Sequence, residues 1–155
     1  MRFYMIDRVE EICYEKYITA TKCVTLADDV FEYHFPRNPV FPGSLLIEGF
    51  AQLSGMFLEL IIKRKGLPPK LSVVSMVNKM KFRKPVRPGD QLLMRADVVS
   101  LREDYGVVKV KAEINKEICA EGELTFVFLS QDDERLHQSR MDFYEICMKD
   151  AKNIT

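Results

Sequence analysis

An α+β fold, in which a curved antiparallel sheet wraps around one long central helix, is what this sequence predicts from three observations. Residues 45 to about 65 are good helix formers with apolar side chains on every face. From Leu71 onward the apolar period changes to two, through four strand-like segments. Two more segments rich in β-branched and aromatic residues precede the helix. A helix that is apolar all round must be enclosed, and the sheet is the only large partner the chain offers it. Six strands do not cover such a helix completely, so a second copy of the chain is expected to finish the enclosure.

The elements follow in order. Residues 6–13 and 17–26 read as strands, and Asp28-Asp29 marks a turn. Residues 35–42 cannot be regular, because Pro36, Pro39 and Pro42 each fix φ and remove a donor. Pro42-Gly43-Ser44 suits a helix start, and Lys63, Arg64 and Lys65 complement the dipole in its last turn before Gly66 and Pro68-Pro69 stop it. Strands are then expected at 71–82, 91–101, 105–114 and 117–129, with Asn115-Lys116 as a tight hairpin turn. Residues 132 to about 149 are charged with sparse apolar positions at helical spacing, which reads as a peripheral helix. The chain thus divides into a main domain over 1–130 and a C-terminal helical extension over 131–155.

Composition narrows the function classes. The 155 residues carry 23 Lys+Arg and 23 Asp+Glu, a formal charge of zero that gives no global field for nucleic acid or an anionic membrane. Cys13, Cys23, Cys119 and Cys147 form no CxxC pair, and His34 and His137 are the only histidines, so no metal site is expected. Widely spaced free thiols fit a cytoplasmic protein. The segment from Met1 to Arg8 reaches an acid at Asp7, too early for the apolar core of a signal peptide. The least charged stretch, 38–62, holds Glu48 and Glu59 and is interrupted by Pro39, Pro42 and Gly43, so it reads as a helix buried in protein.

Three residues stand out as chemistry. Glu48 lies one turn inside the apolar helix, with Ser44 and Gln52 as its only polar neighbours at helical spacing. A carboxyl stripped of water there favours its protonated form and can donate a proton. The same residue is equally read as a structural carboxylate paired with a distant base, or one at the helix surface. His34, between Tyr33 and Phe35, is a candidate base, although a lone histidine in an apolar setting is more often structural. Gly43 opens the helix, where an unpaired backbone N–H and the dipole can hold an oxygen gaining negative charge; it also serves simply to let the chain turn after Pro42.

Taken together, residues 33–52 (YHFPRNPVFPGSLLIEGFAQ) resemble the signature of the β-hydroxyacyl-(acyl carrier protein) dehydratases of type II fatty acid synthesis. The HFP, the PG, the 14-residue interval from His34 to Glu48 and the AQ all match, and Glu rather than Asp at position 48 is the choice of the branch that only dehydrates. The likeness runs from about Met5 to Ser130 and includes FRKPVRPGD at 82–90. It implies a hot-dog fold, paired into dimers and often assembled as a trimer of dimers. It also implies dehydration of a 3-hydroxyacyl-(acyl carrier protein) to the trans-2-enoyl product, with no metal and no cofactor beyond the phosphopantetheine arm of the substrate. In its terms His34 is the base and Glu48, from the other subunit, is the acid. Val40 orients the imidazole through its carbonyl, the Gly43 N–H binds the thioester oxygen, and Gln52 steadies Glu48.

The chain departs from that pattern at Arg37, where the family usually has Gly after HFP, and in the tail beyond Gln131. An acidic carrier protein calls for a basic docking surface, and Lys79, Lys81, Arg83, Lys84 and Arg87 place five cations in nine residues. A solvated strand face would carry the same run. Two other functions remain open: a hot-dog acyl thioesterase, which would usually lack the histidine, and a non-catalytic acyl-carrier-binding subunit paired with an active homologue.

Overall fold

The computed structural model describes residues 3–155; Met1 and Arg2, which begin the N-terminal segment read above, lie outside the described residues. The chain runs β1 (Arg8–Cys13), β2 (Tyr17–Cys23), α1 (Gly43–Arg64), β3 (Lys70–Phe82), β4 (Gln91–Leu101), β5 (Tyr105–Ile114), β6 (Glu117–Ser130), α2 (Glu134–Met148) and β7 (Lys152–Asn153). One sheet contains all seven strands in the order β3-β6-β5-β4-β2-β1-β7. Its first six strands pair antiparallel, as the alternating patterns require. α1 packs on the inner face, where Phe50, Leu53, Met56, Phe57, Leu58 and Ile61 are almost wholly buried against Ile18, Leu92, Val108 and Phe126. Length and composition alone would let α1 cross a membrane, but 67% of its apolar window is buried inside this fold.

The ends of the elements follow from local chemistry. β2 stops at Cys23 rather than Leu26, because the Thr25 and Asp28 side chains accept from the Ala27 and Thr25 backbone N–H groups and turn the chain. α1 closes as its composition predicts: Gly66 takes a φ of +71°, and the Leu67 N–H returns to the Ile62 carbonyl. Asn115 and Lys116 both have positive φ, the conformation a two-residue hairpin demands.

Two features differ from the sequence expectation. β7 pairs parallel with β1, so the sheet is mixed and has a seventh strand. Two residues carry no readable period, and β7 is placed by α2 delivering the chain to the β1 edge. β3 is also less regular than its alternation suggests. Bulges interrupt its pairing with β6 between Val74 and Met76 and between Asn78 and Lys81, and Lys79 takes a φ of +53°.

The sheet leaves one face of α1 open. Ser44, Ile47, Glu48 and Ala51 are exposed or half-buried, whereas Leu53 to Glu59 are enclosed. At the far end of that face the cover comes from α2, whose Tyr144 and Cys147 are buried. The long edge strand of the sheet is β3, which exposes Val73, Met76, Val77 and Phe82. A long apolar edge of this kind is normally covered or paired.

Candidate active site

His34 sits after a short 3-10 turn (Asp29–Glu32) and before the proline-rich loop. The loop folds back on the histidine: the Val40 N–H donates to the His34 carbonyl at 2.9 Å, and His34 Nδ1 lies 2.7 Å from the Val40 carbonyl oxygen. A carbonyl only accepts, so Nδ1 carries a proton, and the neutral tautomer compatible with this contact has Nε2 as its acceptor. Phe35 stacks on the imidazole with centroids 4.2 Å apart, and Arg87 Nη1 holds the loop from outside through Asn38 Oδ1 at 2.6 Å.

The loop also answers the question raised by Arg37. Phe35 and Asn38 exchange backbone hydrogen bonds around it, and its side chain is exposed. The described non-glycine residues with positive φ are Glu15, Lys79, Asn115 and Lys116, so the turn at Arg37 makes no demand that only glycine meets. The His34–Val40 contact stands with arginine in place.

A cavity of about 410 Å³ joins His34 to Val40, Phe41, Gly43 and Leu46, with Phe82, Arg83 and Lys84 at its rim. Gly43 is the first residue of α1, whose leading N–H groups have no intrahelical acceptor. A Cβ at this position would lie 2.9 Å from the Phe82 ring, so glycine is what lets the ring close over the helix start.

Glu48 does not share that cavity. Gly43 and Leu46 face His34, while Glu48, Ala51, Gln52 and Gly55 line a second cavity of about 590 Å³ on another side of α1. There the Gln52 Nε2 group donates to Glu48 Oε1 at 3.0 Å. One chain therefore brings together His34, Val40 and Gly43, and separately Glu48 and Gln52.

The proposed docking cations are less isolated than the sequence suggests. Arg83 pairs with Glu121 at 2.8 Å and Lys84 pairs with Glu117, both acids reaching across from β6. Arg83 in turn holds the Glu121 carboxyl below its ordinary pKa. Lys79 and Lys81 share an outer-face hollow with Lys109, Lys111, Glu121, Glu123 and Asp97. The strand carries the cations, but register with β6 supplies the counter-charges.

A residue that sequence reasoning passed over is Glu59. It is only 5% exposed. Oε1 accepts from Ser72 N at 2.9 Å and Ser72 Oγ at 2.7 Å, Oε2 accepts from Tyr144 OH at 2.7 Å, and Arg140 binds Oε1 as well. Burial and the neighbouring Glu59 charge push the Tyr144 hydroxyl well above the usual tyrosine range, so it remains a donor at every ordinary pH. The signal was present: an acid inside an apolar helix, with an arginine and a tyrosine spaced i, i+4 on the tail. Arg140→Met leaves the buried carboxylate without its charge partner and is expected to cost about 3 kcal/mol in urea denaturation. Glu59→Leu combined with Arg140→Met should cost less than Arg140→Met alone, since an apolar pair leaves no buried charge unpaired. Among the described residues no cluster of His, Cys, Asp and Glu side chains is arranged to hold a metal ion.

The FabA-like domain family matches residues 1–123. The chain belongs to this family. It is 39% identical over 130 residues to the 3-hydroxyacyl-[acyl-carrier-protein] dehydratase FabZ of Protochlamydia amoebophila, covering 83% of this chain and 82% of that protein. It is 43% identical over 122 residues to the FabZ of Streptococcus thermophilus, covering 79% and 84%. Among solved structures, the dehydratase heterocomplex ApeI:P of Xenorhabdus doucetiae superposes with a TM-score of 0.69 at 15% identity, over 88% of this chain and 89% of that one. The thioesterase HI1161 of Haemophilus influenzae superposes at 0.58 and 18% identity, over 81% of each chain. At such identities these two likenesses speak for the shared hot-dog fold and nothing narrower. The family match ends before α2, so the helix that carries Arg140 and Tyr144 lies outside it.

Proposed function

We propose that this FabA-like family member dehydrates 3-hydroxyacyl thioesters on acyl carrier protein to trans-2-enoyl thioesters, as a cytoplasmic enzyme of fatty acid or related lipid synthesis. The observation that carries the mechanism is the His34–Val40 hydrogen bond, which leaves Nε2 as a proton acceptor in a cavity shared with the start of α1. The thioester acidifies Cα, so His34 Nε2 takes the α-proton. Charge moves onto the thioester oxygen, where the Gly43 N–H and the helix dipole stabilise it. As the Cα=Cβ bond forms, the Cβ–O bond breaks, and Glu48 gives its proton to the departing hydroxyl, which leaves as water. Solvent then returns the two groups to their starting protonation states. The reaction requires no metal and no cofactor beyond the phosphopantetheine arm.

Because Glu48 opens on a different side of α1, the acid in each site comes from a second copy. Both unfinished surfaces of the chain, the Glu48 face and the β3 edge, support that dimer, which can assemble further into a trimer of dimers. The carrier protein docks beside the His34 cavity. Arg83 and Lys84 stand at its rim and Arg87 pins its loop, with Lys79 and Lys81 further along β3. The exposed ion pairs of Arg83 and Lys84 are weak enough for an acidic partner to exchange.

The test is incubation with a short 3-hydroxyacyl thioester, followed by mass spectrometry. Loss of one water is the expected result, and the reverse hydration should be seen with the enoyl thioester. Release of free thiol would assign the chain to thioester hydrolysis, and an unchanged mass would make it a binding subunit.

A further inference from the structure

We infer that Tyr4 and Phe143 form a stacked clamp through which the C-terminal helix positions Glu48. The inference rests on the reading of Glu48 as the acid.

Gln52 is the link. Its Nε2 group donates to Glu48 Oε1 and to the Phe3 carbonyl, both at 3.0 Å, and its Oε1 accepts from the Met5 N–H at 2.9 Å. Both ends of the amide are therefore held by backbone, and the side chain cannot turn without breaking at least two hydrogen bonds. The direction in which Gln52 holds the Glu48 carboxyl is set by where residues 3–5 lie.

Residues 3–5 precede β1. The buried Met5 side chain anchors the end of this segment beside Gly49 of α1, and the sheet takes hold at Asp7, whose N–H donates to the Thr21 carbonyl. Phe3 and Tyr4 lie beyond both anchors. Phe3 and Tyr4 are half-exposed. What Tyr4 has instead is Phe143 of α2, stacked on its ring with centroids 4.4 Å apart and 12° between planes. Phe143 is fixed in turn, because the adjacent Tyr144 and the Arg140 one turn earlier are bound to buried Glu59. Glu59 lies eleven residues beyond Glu48, which is three turns along one face of α1. The path is closed: α1 holds α2 at Glu59, α2 holds Tyr4, and the backbone beside Tyr4 holds Gln52 against Glu48. The same groups wall the Glu48 cavity, so misplacement of the segment also disturbs the space in which the acid acts.

Tyr4 and Phe143 are thus positioning residues, supplied in part by a segment beyond the family match. The test measures kcat and KM on a short 3-hydroxyacyl thioester, together with hydrogen exchange at the Met5 amide, in Tyr4→Ala, Phe143→Ala and the double variant. Each single variant is expected to lower kcat about tenfold with KM within about twofold, and to speed Met5 exchange about tenfold. The double variant should be no worse than either single one, because both break the same link. Tyr4→Phe and Phe143→Tyr keep the stack and should restore kcat, which separates loss of the clamp from general unfolding. Unchanged Met5 exchange in the alanine variants would overturn the clamp, as would a rise in KM at unchanged kcat, which would make both rings mere cavity walls. A wild-type protein that dehydrates nothing would instead remove the acid that the clamp is said to serve, while Met5 exchange would still decide the mechanical link.

Discussion

With His34 replaced by alanine, turnover of a short 3-hydroxyacyl thioester is expected to fall by about 10²–10⁴-fold, the usual contribution of a positioned general base. The loss should lie in kcat rather than in folding. His34 is half-buried and contributes one side-chain hydrogen bond, to Val40, worth only about 0.5–1.5 kcal/mol to stability. The carbonyl it leaves behind lies beside an open cavity, where water can replace the imidazole. Since the alanine variant enlarges that cavity, free imidazole added to the assay should recover part of the lost rate. A rate within tenfold of wild type, or a fall that tracks loss of folded protein, would take the base role away from His34. The experiment also bears on Arg37: the observed Val40 contact predicts full wild-type activity without a glycine after the HFP triplet.

Most of the fold was legible because its elements have long, unambiguous periods. α1 is apolar over six turns between Pro42 and Gly66, and β5 alternates through ten residues into a hairpin turn whose two residues both take positive φ. The His34 half of the site was legible for a different reason. His34, Val40 and Gly43 lie within ten residues of one another, so local backbone geometry is enough to bring them together.

What escaped the sequence depends on contacts between distant segments. Glu59 meets Arg140 and Tyr144 across more than 80 residues; the acid in the apolar helix and the i, i+4 pair on the tail were visible separately, but no local period joins them. The neutralisation of Arg83 and Lys84 has the same origin, since Glu121 and Glu117 reach them only through the register of β3 against β6. β7 is two residues long and is defined wholly by its neighbour. Gln52 was assigned to Glu48 from spacing and from the family resemblance, but its bonds to Phe3 and Met5, which fix its direction, join residues nearly 50 apart.

Glu48→Gln should match the His34 defect, with turnover down by about 10²–10⁴-fold in a protein that keeps its fold. Glutamine fills the same space and can still bond to Gln52, but it has no proton to give to the leaving hydroxyl. The more decisive result comes from mixing the two inactive proteins. His34 and Glu48 open into separate cavities on α1, so the proposed mechanism draws each catalytic pair from two chains. A dimer of one His34→Ala chain and one Glu48→Gln chain then holds one site with both defects and one site with none. Coexpression in equal amounts, with random pairing, should restore about a quarter of wild-type activity, and isolated heterodimers about half. If both groups acted from the same chain, every site in the mixture would carry one lesion and the activity would stay at the level of the single variants. Recovery in the mixture thus requires that the imidazole and the carboxyl meet across the interface, and its absence would return the acid role to a group on the histidine's own side of the helix.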